Sequence, residues 1–308
     1  MTDYAYSIFQ QPWWLDAVAP DAWAEARVEK GGEVVARLPY IVRKRWGFTQ
    51  ISSPPLTKYL GPWFAPIPGK YANQLSTEKS LAHDLLDQLP PFDLFGQGFH
   101  PEVTNWFPFY LRHFEQTTHY TYVVDDISDT DAVWSGTLAK IRTDVRKAGK
   151  GLVVLDDEPI DTLLDVVAKT YGRQDREMPF GRDLVHRIDA ACGSRGQRLY
   201  LAARDEHGLL HAGIYVVWDG DRAHYLLGGA DPDLRNSGAS SLLLWEAIQR
   251  LSGTVRSFDF EGSMVPAIER HFRAFGGVQT PYSRVTGYGR RARLARALTV
   301  RRPAVVQP

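Results

Sequence analysis

The sequence predicts an α/β protein with mixed sheets, built from about two domains. Helix-like and strand-like segments alternate along most of its 308 residues. A globular domain usually has roughly 150 residues, so this length fits two of them. The composition, 44% hydrophobic and 23% charged, is that of an ordinary soluble protein.

Composition also narrows the class of protein. Equal numbers of basic and acidic groups, 36 of each, argue against strong non-specific binding to nucleic acid. No apolar run approaches the roughly 20 residues that span a bilayer, and the N-terminus lacks the pattern of a signal peptide. We therefore expect a cytoplasmic protein. The single cysteine, Cys192, excludes an internal disulfide and a cysteine-rich zinc site.

The first predicted domain covers residues 1–115. Two strands joined by Gly31-Gly32 form a predicted hairpin, because paired glycines favour the tight turn between antiparallel strands. A loop rich in proline and aromatic residues follows. The predicted elements are a helix at 9–18, strands at 23–30 and 33–43, the loop at 46–69, a helix at 76–88, a strand at 92–96 and a helix at 103–112.

The second predicted domain covers residues 116–289 and alternates strands with helices. The predicted strands lie at 120–124, 151–156, 198–204, 209–218, 222–229 and 257–260, and the predicted helices at 130–150, 160–171 and 182–191, with two more following residues 240 and 262. A tail at 290–308 holds six arginines and no acid, so it either contacts a polyanion or stays solvated.

The predicted helix at 130–150 carries the clearest charge pattern. One apolar stripe faces the core: Trp134, Leu138, Ile141 and Val145. Over residues 140–150, five cations and one acid lie outside that stripe; the cations are Lys140, Arg142, Arg146, Lys147 and Lys150. A solvated helix face can have this pattern, but the concentration of cations favours a surface that contacts phosphate.

The turn at 235–240 carries a predicted anion site. Gly238, Ala239 and Ser240 leave the first backbone N–H groups of the next helix uncovered by large side chains. Such N–H groups, at the positive end of the helix dipole, attract anions. Arg235 precedes them and adds a charge. For the turn alone, an ordinary helix cap is the alternative.

This turn resembles the (Gln/Arg)-x-x-Gly-x-(Gly/Ala) loop of the GNAT acyltransferase superfamily, which holds a cofactor pyrophosphate. With Phe258–Met264 and Phe272–Gly277, the segment resembles the FemABX branch of that superfamily. The resemblance implies two GNAT-like domains in tandem and an enzyme whose co-substrate is aminoacyl-tRNA. Several members carry a long helical arm, but this sequence has no heptad segment that would form one.

The resemblance also implies roles for individual residues. The stretch 141–148 matches a basic family segment, and Thr170 with Arg173 matches an element in a loop that meets the acceptor. The family has Phe-Lys-x-x-Phe-Gly where this chain has Phe272-Arg273-Ala274-Phe275-Gly276. We therefore expect Phe272 and Arg273 at the reacting groups or the tRNA 3′ end. Arginine cannot titrate as lysine does, and the spacing also departs from the family pattern.

Forming an amide from an ester needs a neutral amine and stabilisation of the oxyanion. Glu261, which follows the strand at 257–260, is the predicted general base, although it also suits the start of the next helix. Arg273 is the predicted contact for developing negative charge. The nine histidines show no metal-ligand spacing, so no metal and no cofactor beyond the co-substrate are expected.

The sequence thus predicts an aminoacyltransferase. It would move an amino acid from aminoacyl-tRNA to the amine of a peptide or small molecule, in specialised biosynthesis or on a cell-wall precursor. An N-acyltransferase that uses acyl-CoA is the nearest alternative, because the turn at 235–240 can hold its pyrophosphate. A non-catalytic binding protein on this fold is the second alternative. The amino acid, the acceptor and the oligomeric state stay open.

Overall fold

A computed structural model describes residues 4–173, 175–262 and 264–300. The described chain forms two compact units, one drawn from residues 1–119 and 282–308, the other from 120–281. The sequence divided the chain near residue 115 and kept everything to 289 in the second domain. The structure instead groups the residues from Tyr282 onward with the first unit. Residues 301–308 of the predicted basic tail lie outside the described part.

The helices are α1 (Pro12–Val18), α2 (Tyr71–Asp87), α3 (Phe107–Leu111), α4 (Thr130–Gly136), α5 (Ala139–Ala148), α6 (Ile160–Gly172), α7 (Arg182–Gly193), α8 (Ala239–Leu251), α9 (Pro266–Arg273) and α10 (Arg290–Val300). Short 3₁₀ helices lie at Ile8–Gln10 and Pro232–Ser237. None of the helices in these described ranges has both the length and the apolar character needed to cross a bilayer.

The strands are β1 (Trp23–Lys30), β2 (Glu33–Arg45), β3 (Phe48–Ser52), β4 (Trp63–Phe64), β5 (Leu94–Gly98), β6 (Glu115–Val124), β7 (Val153–Leu155), β8 (Arg198–Arg204), β9 (Leu210–Asp219), β10 (Arg222–Ala230), β11 (Ser257–Asp259) and β12 (Val278–Tyr288). Strand β12 was not predicted. Most of its residues are only partly buried, so it lacks the hydrophobic alternation that marks a strand in sequence.

The first unit contains a mixed sheet in the order β1-β2-β3-β5-β12, with β4 paired to β2. The predicted Gly31-Gly32 turn joins β1 to β2, and both glycines have positive φ. The loop predicted at 46–69 is wrong in part, because it contains β3 and β4. Its first turn is Trp46-Gly47, and tryptophan is not a residue that signals a turn.

The second unit contains a mixed sheet in the order β6-β11-β10-β9-β8-β7. Strands β8, β9 and β10 form the predicted antiparallel meander. The chain then passes through α8 and returns as β11, parallel to β10. The predicted apolar face of α8 is buried as Leu244, Trp245, Ile248 and Leu251. Because β10 and β11 are parallel, the residues after each strand meet at the same edge of the sheet.

The single helix predicted for the basic segment is wrong. The chain breaks between α4 and α5 at Thr137 and Leu138, whose ψ angles of 137° and 146° are extended. Arg142 Nη1 donates to the carbonyl oxygens of Trp134 and Ser135 at 3.3 and 3.1 Å, and also to that of Thr137. Leu138, predicted to be buried, is exposed because the break turns it outward. Arg142 therefore stabilises the carbonyl end of α4.

Replacing Arg142 by Ala removes the donor from these helix-end carbonyls, so we expect the free energy of unfolding to fall by about 1–2 kcal/mol. The control Lys140→Ala breaks an exposed ion pair with Asp144, 3.0 Å long, and should cost about 0.5 kcal/mol or less. Urea denaturation followed by circular dichroism measures both variants. Equal losses in the two would contradict the capping role of Arg142.

Candidate active site

A cavity of about 740 Å³ opens in the second unit at the edge where β10 and β11 end. The first turn of α8 and one face of α9 also contribute to its wall. Eight of the residues singled out in the sequence line it: Lys140, Thr170, Arg173, Arg235, Gly238, Ser240, Glu261 and Phe272. The structure thus brings residues from five separate segments into one place.

The start of α8 forms one wall of this cavity. Gly238 has φ of +82°, and a Cβ there would lie 2.6 Å from the carbonyl oxygen of Asp144, so only glycine fits. Gly238, the residue before α8, supplies no side-chain cap, and Ser237 Oγ accepts only the first N–H of the helix, that of Ala239, at 3.3 Å. Ala239 itself is buried and does not line the cavity, whereas Ser240 does.

Of the other predicted cations, Lys140 lines the cavity, whereas Arg146, Lys147 and Lys150 lie outside its wall. The Arg146 guanidinium lies 5.5 Å from the ring centroid of Trp134. Lys147 Nζ donates to the carbonyl oxygen of Asn236 at 3.1 Å and so ties α5 to the 3₁₀ turn before α8. Lys150 is exposed after the end of α5. Contact of these residues with phosphate stays a prediction.

Helix α9 presents the predicted Phe272 to the cavity, but not the predicted Arg273. Ile268, His271 and Phe272 line it, because residues i, i+3 and i+4 share one face of a helix. Arg273 lies outside that face, with its side chain 61% exposed and its Nε 3.1 Å from Glu269 Oε1. The lining of the cavity does not include Arg273, so its predicted contact with the reacting carbonyl has no support in this geometry.

Phe272 contributes mainly to the floor of the cavity. It is buried, and its ring centroid lies 5.6 Å from that of Tyr225 and 5.6 Å from that of Phe260.

Helix α6 forms another part of the cavity wall. The Ala230 N–H donates to Thr170 Oγ1 at 3.0 Å, which fixes α6 to the end of β10. Arg173 is exposed at the end of α6 and reaches the cavity.

A buried polar cluster holds Glu261 at the cavity. His224 is fully buried, and its Nδ1 lies 2.8 Å from Glu261 Oε1 and 3.9 Å from Asp259 Oδ2. Asp259 Oδ1 accepts the Glu261 N–H at 2.7 Å and also the hydroxyl of Thr121. Register pairs His224 with Asp259 across the parallel strands. The cluster therefore fixes both the backbone and the carboxylate of Glu261.

The turn after β11 has a strained backbone, which sets the direction of the Glu261 side chain. Glu261 has φ of +61°, a left-handed conformation that costs a non-glycine residue about 1–3 kcal/mol. Gly262 follows with φ of +48°, and a Cβ there would lie 2.3 Å from the carbonyl oxygen of Tyr120. The hydrogen bond that the Glu261 N–H donates to Asp259, and the one that the Glu261 carboxylate accepts from His224, compensate for the strain at Glu261.

Charge in the cluster favours an ion pair. Burial lowers the pKa of His224, but the hydrogen bond to Glu261 and the negative charges of Glu261, Asp259 and Asp219 outweigh it, so the pKa is raised. Burial also raises the pKa of Asp219 to about 6. His224 thus tends to be protonated, which keeps its partner Glu261 ionised.

Sequence spacing did not reveal this cluster, because its members are 35 and 37 residues apart and only the parallel pairing of β10 with β11 unites them. His224, Asp259 and Glu261 can bring potential metal-ligand atoms within 4.8 Å of one another. Their hydrogen bonds to each other already account for the arrangement, so it does not by itself require a metal ion.

His271 is a second functional candidate that sequence analysis missed. It lines the cavity, and within the described residues its Nε2 is buried without a hydrogen-bond partner. Burial lowers its pKa, with a further decrease from the charge of Lys140 that Asp144 partly opposes. The imidazole is therefore neutral near pH 7 and can accept a proton. The signal available in the sequence was helical spacing, because Ile268, His271 and Phe272 lie at i, i+3 and i+4 and so share one face of α9.

Comparison with known proteins places this cavity in a defined class. Residues 135–273 match the family described as Acetyltransferase (GNAT) domain, a range that contains every residue lining the cavity. No curated protein sequence matches the chain. The segment that forms the cavity is therefore similar to a GNAT acetyltransferase domain.

Solved structures extend the likeness over most of the chain. FemX is 12% identical and covers 94% of each chain, with a TM-score of 0.67. L-PGS from Bacillus licheniformis is 12% identical, with 93% of this chain and 89% of that one covered and a TM-score of 0.54. A tandem GNAT protein from the clavulanic acid biosynthesis pathway is 14% identical, with 88% and 84% covered and a TM-score of 0.52. The predicted FemABX-like, tandem GNAT fold is confirmed; at such identities these structures show the fold and not the substrates.

Replacing Gly262 by Ala would force a Cβ against the backbone of β6 at a residue with positive φ. We expect the free energy of unfolding to fall by at least about 2 kcal/mol. The control is Gly253→Ala, where a Cβ meets open space and φ is not positive; its effect should stay within about 1 kcal/mol. Urea denaturation compares them, and similar effects would show that the turn is not locked.

The raised pKa of His224 predicts a pH-dependent contribution to stability. A group whose folded pKa lies above its unfolded value, about 6.5, stabilises the fold fully below that value and loses the contribution as pH rises through the folded pKa. The difference in unfolding free energy between wild type and His224→Asn should therefore shrink as pH rises from about 6. The exposed His207→Asn is the control. A difference that is constant or grows with pH would contradict the ion pair.

Proposed function

We propose that this protein is an aminoacyltransferase that moves an amino acid from aminoacyl-tRNA to the amine of a peptide or small-molecule acceptor. The observation that carries the proposal is a cavity that joins the glycine-led start of α8 and two arginines to a carboxylate that a buried histidine contacts. The GNAT match and the likeness to FemX support it.

One side of the cavity suits a phosphate-bearing donor. The first turn of α8 at Gly238 and Ser240 offers main-chain N–H groups at the positive end of a helix dipole. Arg235 and Arg173 are exposed and line the same cavity, so both guanidinium groups can reach a phosphate. Arg273, Arg146, Lys147 and Lys150 are proposed as contacts for the rest of the tRNA.

The other side suits the acceptor amine. The amine attacks the ester carbonyl of the donor, a C–N bond forms, and the C–O bond to the tRNA ribose breaks. The proton lost by the amine passes to Glu261 and then to the departing ribose oxygen. Glu261 can also bind the acceptor as an ammonium ion, which releases one proton to solvent before the neutral amine attacks. Because the ester is already activated, positioning of the two reactants is the main contribution of the protein.

His271 is the second group that can take this proton, since it is neutral and its Nε2 is buried in the cavity wall. The two candidates differ in charge, so their loss has different consequences. Without Glu261 the site loses a negative charge that attracts the acceptor amine. Without His271 it loses only an uncharged group that can take up a proton. Variants of both residues therefore separate proton transfer from acceptor binding.

Transfer from an acyl-CoA is the alternative that the GNAT match favours. The donor is identified by incubating the full chain with a panel of amines and short peptides and either labelled aminoacyl-tRNA or labelled acetyl-CoA. We expect the amide product, identified by mass, to form from aminoacyl-tRNA and to be abolished when the tRNA is digested by ribonuclease beforehand. Product from acetyl-CoA alone would establish the alternative.

Replacing Glu261 by Gln should lower kcat for transfer by about 10²–10³-fold, because the glutamine amide cannot accept the proton. Arg235→Ala should mainly raise KM for the donor. Glu246→Gln on α8, which does not line the cavity, is the control for charge loss and should leave both constants unchanged. If Glu261→Gln is as active as wild type while His271→Asn is not, His271 is the base.

A further inference from the structure

The tip of the β2–β3 hairpin, which we call the basic hairpin (residues 42–48), combines two unfavourable features. Trp46 is 83% exposed, the largest exposure among the large hydrophobic side chains of the described chain. It also has φ of +50°, followed by Gly47 at +75°. Asparagine or glycine normally occupies this position of a two-residue turn, because both adopt a positive φ more easily than tryptophan does. Nothing in the packing of the unit explains this choice.

The surroundings of Trp46 are strongly cationic. Arg43, Lys44 and Arg45 are all exposed and precede it on β2, where they pair with the uncharged Gln50, Thr49 and Phe48. The Arg45 guanidinium lies 4.2 Å from the Trp46 ring centroid. No acid occurs from residue 34 to residue 77.

The start of α10 adds a further cation to the same surface. The Arg291 guanidinium lies 5.3 Å from the ring centroid of Phe48, and its side chain is 67% exposed. Its nearby acid, Asp93, is buried and lies 3.6 Å away. The hairpin and this helix start therefore present at least four exposed cations around one projecting indole ring.

We propose that the basic hairpin binds an anionic lipid surface, with the Trp46 ring in the headgroup layer and Arg43, Lys44, Arg45 and Arg291 against the lipid phosphates. Tryptophan prefers the membrane–water interface, where its apolar ring and its N–H are both accommodated. Clustered cations are attracted to the negative potential of such a surface. The proposal is independent of the acyl donor used by the second unit.

The same cations would also attract RNA, but the apolar part of the surface favours lipid. Val42 is 42% exposed beside the cations and gains nothing from a phosphate backbone. One face of the Trp46 ring is already covered by Arg45, and the ring projects from a convex turn, whereas bases stack on aromatic rings along a groove. A bilayer accommodates a single projecting ring.

Sedimentation of the full chain with vesicles tests the proposal, using phosphatidylcholine alone and phosphatidylcholine mixed with phosphatidylglycerol. Wild type should bind the anionic vesicles, bind neutral ones far more weakly, and dissociate as salt is raised. Trp46→Asn suits the positive φ, so the hairpin persists, and binding should weaken about tenfold. Lys44→Ala should weaken binding about fivefold.

Matched controls are Tyr71→Asn and Lys79→Ala, an exposed aromatic residue and an exposed lysine on α2. Both should bind within about twofold of wild type. Equal binding of Trp46→Asn and wild type, or no preference for anionic vesicles, would overturn the proposal. Binding of uncharged tRNA that depends on Trp46, without vesicle binding, would assign the surface to RNA instead.

Discussion

The hydrogen bond between the buried His224 and Glu261 is the constraint on which the site depends. A buried ionic pair stabilises a fold only when its remaining polar atoms are also satisfied, because removing charge from water is costly. Here His224 contacts the Glu261 carboxylate, and Asp259 accepts both the Glu261 N–H and the Thr121 hydroxyl, so residues of three strands fix Glu261. The left-handed turn at Glu261 persists because these contacts over-determine it.

The parallel pairing of β10 and β11 brings the two halves of the cavity together. Helix α8 connects these strands, so its N-terminus lies at the edge where β11 ends and Glu261 begins. This pairing therefore brings the start of α8 and Glu261 to one cavity, and residues of α5, α6 and α9 complete its wall. The GNAT match covers the same segment, which explains how this arrangement fits an acyltransferase.

Local patterns in the sequence predicted the elements that depend on local forces. The Gly31-Gly32 turn, the meander and the buried face of α8 follow from turn chemistry and hydrophobic periodicity. The break between α4 and α5 did not, because the side chain that stabilises it, Arg142, lies on the following helix, five to eight residues from the carbonyl groups that it contacts. The predicted helix continued through Leu138, since nothing in the local residues forbids it.

The site shows the same division. Gly238, Ser240 and Glu261 were found because a turn or a strand end marks them in sequence. His224 was missed because its partner is 37 residues away and lies beside it only after the strands pair. Arg273 was chosen for its motif, whereas the helical period places His271 and Phe272 at the cavity and Arg273 outside. The residue types at this motif predicted that α9 lies at the site, but not which face of α9 lines the cavity.

The central claim is that Glu261, held by protonated His224, receives the proton of the attacking amine. The pH dependence of single-turnover transfer, compared between wild type and His224→Asn, tests it most directly. Without the cationic partner Glu261 is protonated more easily, so the acid limb of the variant's rate profile should move to higher pH. Superimposable profiles, with rates lowered uniformly or not at all, would contradict the claim.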